Sequence, residues 1–318
     1  MADHPSLPLT NLQLAHGLIE QQLQRLVKGH QRVLERGDPE PLHQMRVAMR
    51  RLRTTLQQFA PVVELPKSVT EQRLSKSVRR LGLARDLDVL QGRLVDSLLP
   101  QLPEGERSAL KPVLRGLQRE RDLAQEHLET VIKGSGHLEL VAALQRWLRK
   151  PRGTALGELP ARQWLLEWQL PFLQALLLHP GWLVPAYGTD PDTLHDLRKQ
   201  IKTARYRLEN LQPIAGAAPR PWIEHLRQGQ ELLGELNDYQ VLRKAIDNQV
   251  PGRLAESLPQ LDWLLQQNSR HCWRLWEERR QHLWSARGRR QLHLALAAGA
   301  APDGRLCGWW WRIRRALA

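Results

Sequence analysis

Cysteine is nearly missing from this chain. Among 318 residues only Cys272 and Cys307 carry thiols, which is too few for a disulfide framework and the wrong spacing for a CxxC metal site. Such sparse cysteine suits a reducing compartment, most simply the cytoplasm. Lysine is scarce as well: only nine of the 47 basic residues are lysine and the rest are arginine. Long apolar runs are lacking. The most apolar stretch, Leu165 to Leu178, is broken by Glu167, Gln169, Pro171 and Gln174, and falls short of the ~20 apolar residues that span a bilayer. The opening MADHPSLPLT has neither the basic nor the apolar region of a secretory signal, so none is expected. Alternating runs rich in β-branched residues are few, which argues against a sheet protein. No GxxxxGK(S/T) loop, HExxH motif or paired metal-ligand spacing occurs, so the expectation is a protein without a metal, a cofactor or a catalytic centre.

Positive charge is what the chain has in excess. Hydrophobic content of 42% and charged content of 25% are ordinary, but the net charge is +14. A field of that sign and size points to a polyanionic partner: nucleic acid, an anionic membrane or a phosphate polymer. The arginine bias fits phosphate, because the guanidinium presents a fixed fork of donors. A GC-rich genome produces the same bias without any functional reason.

Apolar residues recur at three and four nearly everywhere, so the predicted fold class is all-α. Breakers divide the chain into helices of about 15 to 30 residues. They are Gly37-Asp38-Pro39, Pro61 to Pro66, Pro100 to Pro103, Gly134 to Gly136, Pro151 to Pro160, Pro180 to Pro191, Pro213 to Pro221, Pro251 to Pro259 and Pro302 to Gly304. Sliding the chain by 152 residues lays LHQMRVAMRRLRTTLQQF (42–59) on LHDLRKQIKTARYRLENL (194–211). His43 then meets His195, Arg46 meets Arg198, Arg50 meets Lys202 and Arg53 meets Arg205. At the same offset LGLARDLDVL (81–90) lies on LGELNDYQVL (233–242). Two blocks sharing one ungapped offset predict a tandem helical repeat. The halves are 1–155 and 156–318, joined in the Pro/Gly-rich stretch 151–160.

On a helix turning about 100° per residue, His43, Arg46, Arg50, Arg53 and Gln57 fall in one stripe roughly 80° wide. Met45, Met49, Leu52, Leu56 and Phe59 form an apolar stripe beside it. The second half repeats this with His195, Arg198, Lys202 and Arg205. A solvated face normally mixes signs to gain i, i+4 pairs, yet the first stripe contains no acid. Both copies keep each stripe position basic or His while their neighbours drift, Arg51 becoming Thr203. The stripes are therefore read as anion-binding, with Arg51, which lies off the stripe, contributing less.

HxxRVxxRRLR followed by LGxxRDxDVL resembles the CHAD family, the conserved histidine α-helical domain. The first copy, at 43–53 and 81–90, is close. The second, at 195–205 and 233–242, lacks the double arginine and has Lys199 for Val47 and Asn237 for Arg85. The resemblance implies two four-helix bundles related by pseudo-twofold symmetry. Their basic helices would line a shared groove or pore that binds inorganic polyphosphate, in the cytoplasm or at polyphosphate granules. The residues carried over as polyphosphate contacts are His43, Arg46, Arg50, Arg51, Arg53, His195, Arg198, Lys202 and Arg205. Lys76 and Arg80, just ahead of the second motif, extend the track; Arg25, Lys28 and Arg32 either extend it or form a solvated face. Asp86 and Asp238 are expected to pair with an arginine or cap a turn, and Gly82 and Gly234 to permit close helix packing. The ExExK signature of the CYTH domain, a frequent fusion partner of the family, does not occur. A free-standing binding module is the leading reading, a nucleic-acid-binding protein the runner-up and a polyphosphate-processing enzyme the third. Of the twelve tryptophans, Trp263, Trp273, Trp276 and Trp284 have helical spacing and are expected in the core. The basic tail with Trp309, Trp310 and Trp311 either docks on its own domain or touches a granule or membrane surface.

Overall fold

A computed structural model of the chain describes residues 9–35, 40–250 and 253–300. The Gly37-Asp38-Pro39 breaker, the Pro302 to Gly304 breaker, Cys307 and the Trp309–Trp311 tail lie outside the described residues.

The described residues are mostly helical, with two isolated β-bridges and no strand among them. The helices run α1 (Asn11–Leu34), α2 (Glu40–Gln58), α3 (Glu71–Gly92), a short α4 (Glu104–Ala109), α5 (Lys111–Lys133) and α6 (Ser135–Arg149). They continue with α7 (Leu165–Leu177), α8 (Pro191–Ala215), α9 (Arg220–Asp247), a short α10 (Leu254–Ser257), α11 (Pro259–Trp284) and α12 (Ala286–Ala300). Shifting α2, α3, α5 and α6 by 152 residues lands them on α8, α9, α11 and α12. In each half the last of these, 15 residues long, closes the group.

Local chemistry sets the helix ends. Thr10 and Gln13 form a reciprocal cap on α1: the Gln13 amide N–H donates to Thr10 Oγ1 at 3.2 Å, and Thr10 N–H to Gln13 Oε1 at 3.0 Å. Thr70 and Asp190 cap α3 and α8 one-way, their side chains accepting from the N–H of Arg73 and Thr193. Pro171 lies inside α7, and one proline does not break where the sequence predicts: α8 runs through Pro213 to Ala215. It stops at Gly216, whose φ of +67° suits the residue without a Cβ.

The junction at 151–160 is not a loose linker. It is strapped to the first half by Asn11 N–H to Leu159 O (2.9 Å) and Glu64 N–H to Arg152 O (3.0 Å). A Cβ on Gly153 would come within 2.8 Å of Val62 O, so only glycine fits this crossing. The apolar cores do not divide at residue 155 either. One cluster joins Leu14, Met45, Met49, Leu52 and Leu128 of the first half to Leu211 and Ile214 of α8, Leu242 and Ile246 of α9, and Leu261 of α11. The other, around Trp182, Leu197, Ile201 and Trp276, is built from the second half alone. Trp273 and Trp276 are buried in it as expected, but Trp263 is 53% exposed because it lies on the outer face of α11.

A buried polar seam joins α2 to α8. The Asn210 side chain donates to Thr55 Oγ1 (3.1 Å) and Gln58 Oε1 (2.9 Å), and Gln58 Nε2 donates to Arg207 O (3.3 Å). Gln58 and Asn210 occupy the same place in the repeat, 152 residues apart, as do Thr55 and Arg207.

Candidate functional site

The seam leaves the N-terminal parts of α2 and α8 facing a cavity of about 970 Å³. Cations reach it from four helices: Arg46 and Arg50 from α2, Arg85 from α3, Arg198, Lys199, Lys202 and Arg205 from α8, and Lys244 from α9. His43 and His195 join them, against four carboxylates, Asp86, Asp192, Glu231 and Asp238. Helical phase explains the convergence. Met45, Met49 and Leu52, like Leu197, Ile201 and Leu208, are buried in the cores, which turns the adjoining basic stripe of each helix toward the other.

Arg46 and Arg198 each lie against the glycine of an LG pair, but among the described residues only Arg46 has a carboxylate partner within ion-pair distance. Arg46 Nη1 pairs with Asp86 at 2.7 Å, its own side chain only 11% exposed. The glycine of each LG pair lies under a guanidinium: an added Cβ at Gly82 would sit 3.7 Å from Arg46 Nη2, and one at Gly234 only 3.1 Å from Arg198 Nη2. These glycines thus make room for arginines rather than for a neighbouring helix backbone. The buried Nε of both arginines has no hydrogen-bond acceptor among the described residues. Asp238 faces Arg93 at 3.6 Å, and burial raises its pKa against the pull of Arg198 and Arg93.

Arg50 and Lys202 are the centre of the site. They are repeat equivalents, each is largely buried, and each feels the field of Arg46 and Arg198. Among the described residues neither has a carboxylate within ion-pair distance. Desolvation, then its cationic neighbours, pushes Lys202 down to about 6 and Arg50 to about 10. His43 and His195 are also held below the usual imidazole value, first by burial and then by Arg85 beside His43 and by Lys199 and Arg198 beside His195. The cavity therefore disfavours its own positive charge, and an anion would restore it.

The other residues read from the sequence lie elsewhere. Arg51 pairs with Glu209 of α8 at 2.5 Å, and the same carboxylate takes Arg205 at 2.6 Å. Both guanidiniums stack on Tyr206, 4.6 Å from its ring centre. Arg51 is thus a strap between α2 and α8, while Arg205 both serves the strap and lines the cavity. Arg53 is turned to Glu71 at the start of α3, at 2.6 Å. Lys76 and Arg80 are on α3 before the stretch that reaches the cavity, Lys76 exposed and Arg80 half-buried. Arg25, Lys28 and Arg32 are exposed on α1.

Three cavity cations escaped the sequence reading. Lys199 and Lys244 have Val47 and Gly92 as repeat counterparts, so comparing the halves could not flag them. Arg85 does carry a signal, standing directly before Asp86 in LGLARDLDVL. No group of three or more His, Cys, Asp or Glu able to hold a metal ion occurs among the described residues. Cys272 is buried, donates to Glu235 at 3.1 Å and has its pKa pushed up to about 12, so its thiol stays protonated. No described helix is long and apolar enough to cross a membrane.

Comparison with known proteins bears on this arrangement. A family model described as "CHAD domain" matches residues 17–247. The CHAD domain crystal structure from the plant Ricinus communis superposes with a TM-score of 0.59 and 23% identity, covering 94% of this chain and 95% of that one. PptA from Streptomyces chartreusis superposes with a TM-score of 0.63 and 15% identity, covering 86% of this chain and 99% of that one. No curated protein matches at a significant level.

Proposed function

The chain belongs to the CHAD domain family, and from that premise we propose that it binds inorganic polyphosphate in the cavity between α2 and α8, without turning it over. The observation that carries this reading is the meeting of both cation stripes on one cavity whose central pair, Arg50 and Lys202, has no carboxylate partner among the described residues. A polyphosphate chain has about one charge per residue and no bases to read, so a rigid row of cations is sufficient to hold it. Bound phosphates would pair with Arg46, Arg50 and Arg198, favour the charged form of Lys202 and release condensed counterions. Eight cations against four carboxylates leave the lining with a surplus of positive charge. Asp86 serves this site as an orienting group for Arg46 and not as a ligand.

The duplication belongs to the same reading. Gln58 with Asn210 and Arg50 with Lys202 are repeat equivalents that meet each other, as expected for two halves related by a pseudo-twofold axis running through the cavity. The setting we propose is the cytoplasm, at polyphosphate granules.

The test is direct binding of long-chain polyphosphate to wild type and to the quadruple variant Arg46→Gln, Arg50→Gln, Arg198→Gln, Lys202→Gln, with circular dichroism as the control for fold. Loss of binding with the helical spectrum kept supports the reading; binding as tight as wild type sinks it. Displacement of polyphosphate by single-stranded or duplex nucleic acid at equal phosphate concentration would transfer the site to that class of polymer.

A further inference from the structure

Where α9 crosses the end of α11, three polar side chains stand in a row that the cavity does not use. Arg279 Nη1 lies 2.9 Å from His225 Nδ1, and His225 Nε2 lies 3.0 Å from His282 Nε2. The roles in this row follow from chemistry. A guanidinium has donors and no acceptor, so Arg279 donates to His225 Nδ1. That nitrogen is then bare, and the neutral ring carries its one hydrogen on Nε2. This hydrogen points along the second contact, so His282 Nε2 is the acceptor and His282 keeps its own hydrogen on Nδ1. A single placement of hydrogens satisfies both contacts, and in it both imidazoles are neutral.

Packing holds the row in place. Trp222, one turn before His225, meets it edge-on with ring centres 6.0 Å apart, and is stacked on His282 at 6.4 Å. The two imidazole centres are 4.3 Å apart. Gly229, one turn after His225, lets the helices approach: a Cβ there would stand 3.4 Å from Leu283 and Trp276 and 3.9 Å from Arg279. Few other charges bear on the row. Glu224 on α9 is exposed and held by Arg227 at 2.6 Å, and Glu278, one turn before His282 on α11, is exposed. Burial, then His282 and Arg279, keep His225 below the usual imidazole value against the opposite pull of Glu224.

We propose that Arg279, His225 and His282 form a proton-operated latch between α9 and α11, closed while both imidazoles are neutral and opened when either takes a proton. A second hydrogen on His225 goes to Nδ1 and meets the N–H of Arg279. A second hydrogen on His282 goes to Nε2 and meets the N–H of His225. If His225 moves its own hydrogen to Nδ1 to receive the newcomer, it loses Arg279 instead. Every protonation thus sets a donor against a donor. The latch belongs to one half alone, since the repeat has Arg73, His127 and Thr130 at the places of His225, Arg279 and His282. It steadies the helix that brings Glu231, Asp238 and Lys244 to the cavity, but it does not depend on what the cavity binds.

The sign of the pH dependence follows. His225 is protonated less readily in the fold than in the unfolded chain, so stability falls as pH drops below about 6.5. A histidine kept neutral by the fold changes the folding equilibrium by up to about tenfold between pH 7.5 and 5.5. Two measurements on the full chain, without polyphosphate, test the latch. Nitrogen-15 NMR at pH 7.5 should find hydrogen on Nε2 of His225 and on Nδ1 of His282, with the His225 titration midpoint below 6.5. Hydrogen on Nδ1 of His225, or a midpoint at or above that value, overturns the proposal. Urea denaturation should show wild type losing up to about tenfold more in the folding equilibrium on acidification than the double variant His225→Gln, His282→Gln. Equal losses in the two proteins also overturn it.

Discussion

The pair Arg50 and Lys202 puts the behaviour of the site into two side chains. Burial and its cationic neighbours lower the pKa of Lys202, and a bound polyanion would raise it toward the ordinary value. Binding then takes up a proton at every pH between those two values, so affinity should fall as pH rises, by up to about tenfold per unit between pH 7 and 8. His43 and His195, also lowered, act in the same sense at more acidic pH. Isothermal titration across pH 6 to 8.5 reads the slope; Lys202→Arg should flatten it above pH 7 while still binding. A slope unchanged in that variant would locate the proton elsewhere. The glycines give a second residue-scale prediction. Gly82→Ala meets Arg46 at an ordinary 3.7 Å and should raise stability by about 0.5–1 kcal/mol through helix propensity. Gly234→Ala, at 3.1 Å from Arg198, must displace that guanidinium and should weaken polyphosphate binding more than Gly82→Ala does; equal affinities of the two variants would contradict the role given to Gly234. At this scale the sequence was informative at His43 and His195, Arg46 and Arg198, and Arg50 and Lys202, which all line the cavity, but not at Arg53, whose equivalent Arg205 lines it alone. It was silent on partners, because Arg51 meets Glu209 and Arg53 meets Glu71 through tertiary packing that no spacing within one helix reveals.

Helices were the most readable feature, since apolar period and breakers specify them locally. The exceptions are instructive: Pro213 stays inside α8 because Ile214 and Ala215 beyond it are buried in the first core, and that burial offsets the hydrogen bond that proline removes. What periodicity could not supply was how α2 and α8 meet. Thr55, Gln58 and Asn210 look like ordinary polar residues late in a helix, yet they form the buried contact between the two halves. Asn210→Ala would leave Gln58 Oε1 and Thr55 Oγ1 without their donor. A loss of about 1–3 kcal/mol follows from stranding such groups, measured by urea denaturation. A change below about 0.5 kcal/mol would mean that water replaces the seam. Because the seam sets the spacing of the stripes, the same variant should also weaken polyphosphate binding.

For the molecule as a whole, the tandem arrangement was visible in the sequence but the sharing of a core was not. Leu211, Ile214, Leu242, Ile246 and Leu261 complete the apolar cluster of the first half, and their spacing fits a helix buried within its own half equally well. A fragment ending at residue 155 should therefore fail to fold cooperatively and should bind a hydrophobic dye, although it holds six of the described helices; a sharp thermal transition in that fragment would show the halves to be independent. The facing repeat equivalents have a consequence for the ligand. His43, Arg46 and Arg50 line the cavity together with their repeat equivalents His195, Arg198 and Lys202, so on the polyphosphate reading a bound chain would meet the same kinds of group from either half. Nucleic acids have a 5′ and a 3′ direction and would present different neighbours to each wall. Linear polyphosphate has no direction: its two ends are alike and every linkage reads the same both ways. If polyphosphate is the ligand, these three pairs of equivalents would accept either of its ends, while Arg85, Lys199 and Lys244, which have no basic counterpart, would tell the two halves apart.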